Sequence, residues 1–205
     1  LHLCHHNLET IETNNYNSGN AKHNLLLEVY MAAKYEGNSI ETYYTRYQDT
    51  NQGTASQLCT VLARSFADIG DIVRGRDLFY GNTHESTQRK QLEKKLKTIF
   101  KKIYKDVTTN GKKSAEAKER YKDTDNYYEL REDWWTANRH TVWKALTCDE
   151  DKKLAGASYF RGTCGDKKDP SVAKDHCRCN GDQPNDDNPN TDPPTYFDYV
   201  PQFLR

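Results

Sequence analysis

Between Lys22 and Tyr35 apolar residues recur at helical spacing, with Leu25, Leu26, Val29, Ala32 and Ala33 on one face. The pattern predicts a helix that stops at "EGNSI", with Gly37 as its C-terminal cap, followed by a loop through the tyrosine-rich "YYTRYQDTNQGTAS". In "SQLCTVLARSFADIGDIVRGRDLFYGN" the residues Leu58, Val61, Leu62, Phe66, Ile69, Ile72 and Val73 fill a broad apolar arc, the mark of a helix buried over much of its surface. Gly70 and Gly75 weaken that helix locally. "FYGNTHEST" reads as a loop into "KQLEKKLKTIFKKIYKDV".

At about 100° per residue, Leu92, Leu96, Ile99, Phe100, Ile103 and Val107 fall on one arc, and Lys90, Lys94, Lys97, Lys101 and Lys105 form a narrow stripe opposite. "TTNGKKSAEAKERYKDTDN" is a polar connection with a short helical piece, and "NYYELREDWWTANRHTVWKALTC" is a fourth strong helix. There Trp135, Arg139 and Trp143 lie four apart, which predicts a guanidinium stacked between two indoles. Val142, Ala145 and Leu146 extend the apolar surface beside them and favour core packing over an exposed platform. Past Asp149 periodicity ends: Pro184, Pro189, Pro193 and Pro194 sit among Asn and Asp in an acidic loop region.

Composition narrows the function classes. Lys and Arg number 30, Asp and Glu 30, so the chain is not a globally basic nucleic-acid binder. Even "LLLEVYMAA" is broken by Glu28, so no run reaches membrane-spanning length and no membrane contact by this segment is expected. The opening "LHLCHHNLET" is not a signal peptide, and the lack of an initiator Met points to a segment cut from a longer polypeptide, with any anchor or export signal outside it.

The six cysteines, at 4, 59, 148, 164, 177 and 179, form an even, widely spaced set that favours a disulfide framework in an oxidising compartment. A zinc site at His176, Cys177 and Cys179 lacks a second close pair of ligands. A C-x-C pair does not readily close on itself, so one of Cys177 and Cys179 is expected to bridge to Cys164 and the other to find a partner past Arg205.

No glycine-rich phosphate loop, nucleophile elbow or zincin motif is present. Glu132 and Asp133 are helix neighbours that diverge by about 100°, so they would not flank one bond. No enzyme, cofactor or metal is expected. The lysine stripe remains as candidate chemistry. Like charges at helical spacing cost about 0.2–0.5 kcal/mol per pair, and Glu93, four before Lys97, offsets this only in part. Two readings stand: a solvated helix back, or a surface for a sulfated glycan joined by Lys112 and Lys113.

The segments "LARSFADIGDIVRGRDL", "REDWWTANRHTVWKALTC" and "YFDYVPQFLR" strongly resemble the Duffy-binding-like domains of malaria parasites. The likeness is nearest to the alpha class of the Plasmodium falciparum erythrocyte membrane protein 1 antigens and covers almost the whole chain. It implies an all-α, disulfide-stapled fold ending before the family's C-terminal helical hairpin. Residues 1–50 would close subdomain 1, 51–148 form helical subdomain 2, and 149–205 open loop-rich subdomain 3. It also implies a Cys59–Cys148 bridge, while Tyr30, where relatives often carry cysteine, leaves Cys4 to pair elsewhere or to remain free.

For function the resemblance implies a variant surface antigen on the extracellular face of the infected erythrocyte. It would bind a host-cell receptor or a sulfated glycan such as heparan sulfate in rosetting, or brace a neighbouring cysteine-rich domain, or act as a red-cell invasion ligand. "YGNTHEST", "TTNGKKSAEAKE" and "GDQPNDDNPNTD" are the expected antibody-exposed loops.

Overall fold

The computed structural model describes residues 8, 11, 13, 16–50, 57–78, 82–109, 114–148, 153–165, 168–179 and 192–205. Five helices carry them: α1 Ala21–Thr50, α2 Leu58–Arg74, α3 Thr83–Thr109, α4 Ser114–Arg120 and α5 Tyr128–Leu146. Two short strands, β1 Gly162–Cys164 and β2 Ser171–Val172, pair antiparallel, and two 3-10 turns follow at Phe197–Tyr199 and Gln202–Leu204. The chain divides into two compact units, Leu1–Val29 with Gly70–Asn138, and Tyr30–Ile69 with Arg139–Arg205, so α1, α2 and α5 each contribute residues to both.

In the first unit the apolar arc of α3 is buried as its periodicity requires: Leu92, Leu96, Ile99, Phe100 and Ile103 are inside. Val107 is only half-buried, and Thr108 takes the inward position by donating its hydroxyl to the Tyr104 carbonyl at 2.7 Å. Phe100 meets Trp134 of α5 edge to face at 6.3 Å. The expected loop "YGNTHEST" is, from Thr83, the first turn of α3. Asn82 Oδ1 accepts from the Glu85 N–H and Glu85 Oε2 from the Asn82 N–H, both at 2.9 Å, a reciprocal capping box.

The second unit holds Phe66 and Trp143 edge to face at 5.2 Å, and its Leu62, Ala63, Val142 and Leu146 are buried as well. Val61, placed by its spacing in the buried arc of α2, is partly exposed. The helix α1 does not stop at "EGNSI"; it runs on to Thr50 through much of the expected loop. Gly37 is not a cap but a point of close approach, since a Cβ there would lie 2.0 Å from the Leu146 carbonyl oxygen of α5. Glu36, beside it, is buried and accepts from the Ser65 hydroxyl at 3.0 Å.

Trp143 is fully buried and donates its indole N–H to the Cys177 carbonyl at 3.1 Å. Arg139 does not stack between indoles. Its guanidinium donates to both Asp198 carboxylate oxygens at 2.8 and 2.9 Å and to the Thr195 carbonyl at 2.9 Å, and it sits over Phe66, Tyr196 and Tyr199. Carboxylate and carbonyl acceptors on the returning chain, with three phenyl and phenol faces around them, take this cation in place of the indoles.

The expected Cys59–Cys148 bridge is replaced: Cys59 bonds Cys177, and Cys164 bonds Cys179. Docking of the 175–179 turn against the end of α5 explains the exchange. Besides the Trp143 contact, buried Arg178 donates to the Thr147 hydroxyl at 3.0 Å and to the carbonyls of Lys144 and Thr147 at 3.2 and 3.0 Å. These bonds carry Cys177 inward, so neither member of the C-x-C pair looks past Arg205 for a partner. His176 and Cys177 both adopt left-handed backbone, φ 49° and 54°, as the tight turn bridging Asp175 and Arg178 demands. Loops of 118 and 15 residues closed by the two bridges contribute about 5 and 3 kcal/mol in the chain-entropy account. Cys4 lies outside the described residues.

Peptide mapping without reductant is expected to recover Cys59 joined to Cys177 and Cys164 joined to Cys179. Gly37→Ala should lower stability by about 1–3 kcal/mol despite the better helix propensity of alanine, because the methyl meets a backbone carbonyl that cannot retreat cheaply. Urea unfolding measures both the sign and the size.

Candidate functional site

The capping box starts α3 at Thr83, and from there helical geometry sends the lysines away from the buried arc. Lys90, Lys94, Lys101 and Lys105 are exposed. Among the described residues they make no ion pair. Lys97 is half-buried and held, its Nζ 2.7 Å from Asn126 Oδ1 and 3.9 Å from Glu93 Oε1. Lys112 and Lys113 lie outside the described residues.

The first half of the stripe borders a groove of about 510 Å³. Lys90, Lys94 and Lys97 line it from α3, with Gly75 after α2 and Tyr128 at the start of α5. Its two carboxylates are already matched: Asp77 pairs with Arg89, and Glu93 binds the Arg131 guanidinium through both oxygens at 2.8 and 2.9 Å. Lys90 and Lys94 are therefore the unmatched charge of the groove. Lys101 and Lys105 continue the same face beyond it.

The groove is shaped by one fully buried cation. Arg131 of α5 donates Nε to the Val73 carbonyl at 2.6 Å, an acceptor that the end of α2 leaves open, and Nη2 to the Ile72 carbonyl at 3.1 Å as its second donor. Gly75 terminates α2 with φ +72°, its N–H on the Ile72 carbonyl and the Arg76 N–H on the Asp71 carbonyl, the two bonds of a Schellman motif. A Cβ at Gly75 would lie 2.8 Å from Arg131 Nη1, so the position needs glycine for its backbone angle and for clearance. By local pattern Gly75 is only a helix weakness and Arg131 is unremarked, because an arginine three residues into an amphipathic helix carries no signal of burial.

The start of α5 is equally constrained. The Asp123 carboxylate accepts the N–H groups of Asn126 at 3.0 Å, Asp125 at 3.1 Å and Tyr128 at 3.3 Å. These bonds, chiefly that from Asn126, hold its carboxyl below the usual carboxylate range.

The other candidates separate. Glu132 serves Arg74 and Arg76 at 3.2 and 2.9 Å, while Asp133 serves Arg120 at 2.6 Å and Tyr121 at 2.9 Å, so the two acids point apart. Cys177 and Cys179 are consumed in disulfides and unavailable beside His176, and no metal-binding cluster occurs among the described residues. No helix there is long and apolar enough to cross a membrane.

These features define a helical, disulfide-bonded domain with a cationic groove. The chain belongs to the Duffy binding domain family, whose model matches residues 1–205. Among solved structures it is similar to the NTS-DBL1(alpha-1) domain of Plasmodium falciparum membrane protein 1 (PfEMP1) from the varO strain. The two are 41% identical at TM-score 0.69, over 99% of this chain and 40% of that one. The varO NTS-DBL1-alpha and CIDR-gamma double domain matches at 42% identity and TM-score 0.70, over 99% of this chain and 25% of that one. A PfEMP1 DBLβ domain bound to human ICAM-1 matches at 32% identity and TM-score 0.58, over 76% of this chain and 33% of that one. The chain thus spans two-fifths or less of each of these relatives. No curated protein matches.

Two outcomes check the site's architecture. Arg131→Met should cost about 2–3 kcal/mol in denaturant unfolding, because it strands the Val73 carbonyl, strips one of the two donors from the Ile72 carbonyl, and removes the guanidinium from the Glu93 carboxylate, whose partial exposure keeps the loss at the low end. Asp123 carries a depressed pKa when folded, so its contribution is complete above the ordinary carboxylate value of about 4 and is lost as pH falls through the lower folded value. Acid titration should therefore show wild type losing stability below pH about 4 more steeply than Asp123→Asn.

Proposed function

We propose that this chain is an adhesion segment of a PfEMP1-type surface antigen, and that the lysine face of α3 engages a sulfated glycan on the host cell. The observation that carries the reading is the charge partition in the first unit. Every carboxylate of the groove is paired, while Lys90 and Lys94 in it and Lys101 and Lys105 beyond it point into solvent unpaired among the described residues. Such a stripe releases condensed counterions when it meets a polyanion, sulfates acting much as phosphates do. The disulfides Cys59–Cys177 and Cys164–Cys179 fit an oxidising, extracellular setting.

The family supports adhesion as the broader role, since a relative binds human ICAM-1. A relative that joins a CIDR-gamma domain supports a cysteine-rich neighbour in the same polypeptide. The reading includes exposure on the infected red cell, with antibodies as further partners, and no catalysis.

Lys97 is tied to Asn126, so replacing it would disturb the start of α5 as well as the charge. Lys90→Ser, Lys94→Ser and Lys101→Ser together should weaken heparin retention and flatten its salt dependence by about 0.7–0.9 in log–log slope per lysine that contacts a sulfate, with an unchanged melting temperature. Unchanged retention would return the stripe to a solvated helix back. A pure scaffold would bind neither red cells nor heparin.

A further inference from the structure

The groove holds one feature that a charge-only reading leaves unused. Tyr128 is 46% exposed on its wall, although its neighbours on the same turn and helix, Tyr127, Trp134 and Trp135, are buried. The N–H of Tyr128 is anchored by Asp123, and two residues earlier Asn126 holds the ammonium of Lys97. An aromatic residue on a fixed backbone and a tethered cation therefore share one groove with the exposed ammoniums of Lys90 and Lys94.

We propose that Tyr128 is the sugar-selecting element of this groove, stacking its ring on the C–H face of a pyranose residue whose sulfate groups are met by Lys90 and Lys94. The assignment rests on the glycan reading above and deepens it from a polyanion to a defined saccharide unit. Three observations favour a sulfated sugar over other anions. The groove, at about 510 Å³, lies in the size range of small-ligand sites and far exceeds an inorganic sulfate. Its carboxylates are engaged by Arg89 and Arg131, so it offers mainly donors and an aromatic face. A sulfated sugar supplies acceptors and an apolar C–H face, whereas an acidic peptide would bring backbone N–H groups in need of acceptors that are already taken. An aromatic ring gives a flat, amphipathic surface at small conformational cost, and Lys97, already immobilised, loses little entropy on binding.

The test measures dissociation constants of the whole chain for three probes of matched charge: a heparin-derived hexasaccharide, linear polyphosphate, and a polyglutamate peptide. Wild type should prefer the hexasaccharide over polyphosphate by about tenfold. Tyr128→Ala should lose about tenfold on the hexasaccharide and nothing on polyphosphate, while Tyr128→Phe keeps the wild-type preference because the ring and not the hydroxyl does the stacking. Tyr128→Leu, which retains apolar bulk without a ring face, should behave as Tyr128→Ala and guards against a folding defect, with the melting temperature of each variant as control. An unaltered hexasaccharide affinity in Tyr128→Ala, an equal loss on both polyanions, or polyglutamate binding as tight as the hexasaccharide would overturn the stacking role while leaving the electrostatic reading standing. Wild type that binds none of the probes would overturn both.

Discussion

A buried guanidinium at a helix C-terminus organises the first unit. Arg131, fully enclosed on α5, donates to the Val73 and Ile72 carbonyls at the end of α2 and clasps Glu93 of α3, so one side chain ties three helices together. A cation in this setting is tolerable only when nearly every donor is used, because stripping its water costs several kcal/mol. Four hydrogen bonds meet that demand, and the Phe100 ring beneath the guanidinium covers its face at 5.5 Å. The helix dipole of α2 adds attraction at the same point.

The second unit uses the same device at the end of α5, where Arg178 closes the carbonyls of Lys144 and Thr147. There it has a covalent consequence, for it docks the turn that carries Cys177 to Cys59. A chain with only 35% hydrophobic residues has limited apolar surface to bury. Arginine caps and disulfides supplement that core, and each is positioned by the other: the cap orients the turn, and the bridge prevents its release.

This economy of matched charge gives the lysine face its meaning. Cations inside the units, Arg74 and Arg131 in the first and Arg178 in the second, have specific acceptors, and Arg139 and Arg205 have theirs in Asp198 and Asp68. The exposed lysines of α3 stand apart from that pattern. A helix face in water can carry like charges at small cost, and the same charges become useful when a polyanion supplies the missing counterions. Binding through such a face would depend on ionic strength and tolerate sequence change, whereas the groove beside it, with an exposed ring on an anchored backbone, would provide a place for shape to matter.

Periodicity is sufficient for α3 from Lys90 to Ile103 and for most of α2, because a half-buried helix writes its 3.6-residue repeat into the order of apolar and charged residues; the buried arc and the lysine stripe are legible there, whereas the first turn of α3 and the Val107 position are not. Long family-like segments likewise carried the helical, disulfide-bonded class, shown by the match over the whole chain. The rest depended on partners distant in sequence. Gly37 resembles a cap until the Leu146 carbonyl occupies the space beside it, Arg139 resembles a stacking cation until Asp198 returns to meet it, and Cys148 resembles the mate of Cys59 until Arg178 docks the turn bearing Cys177. Local pattern encodes which face of a helix avoids water, since that preference is summed over many neighbouring residues. Which single atom completes a buried hydrogen bond or a disulfide is decided only by tertiary structure, because a directional, saturable bond depends on positions a few tenths of an ångström apart that no linear spacing specifies.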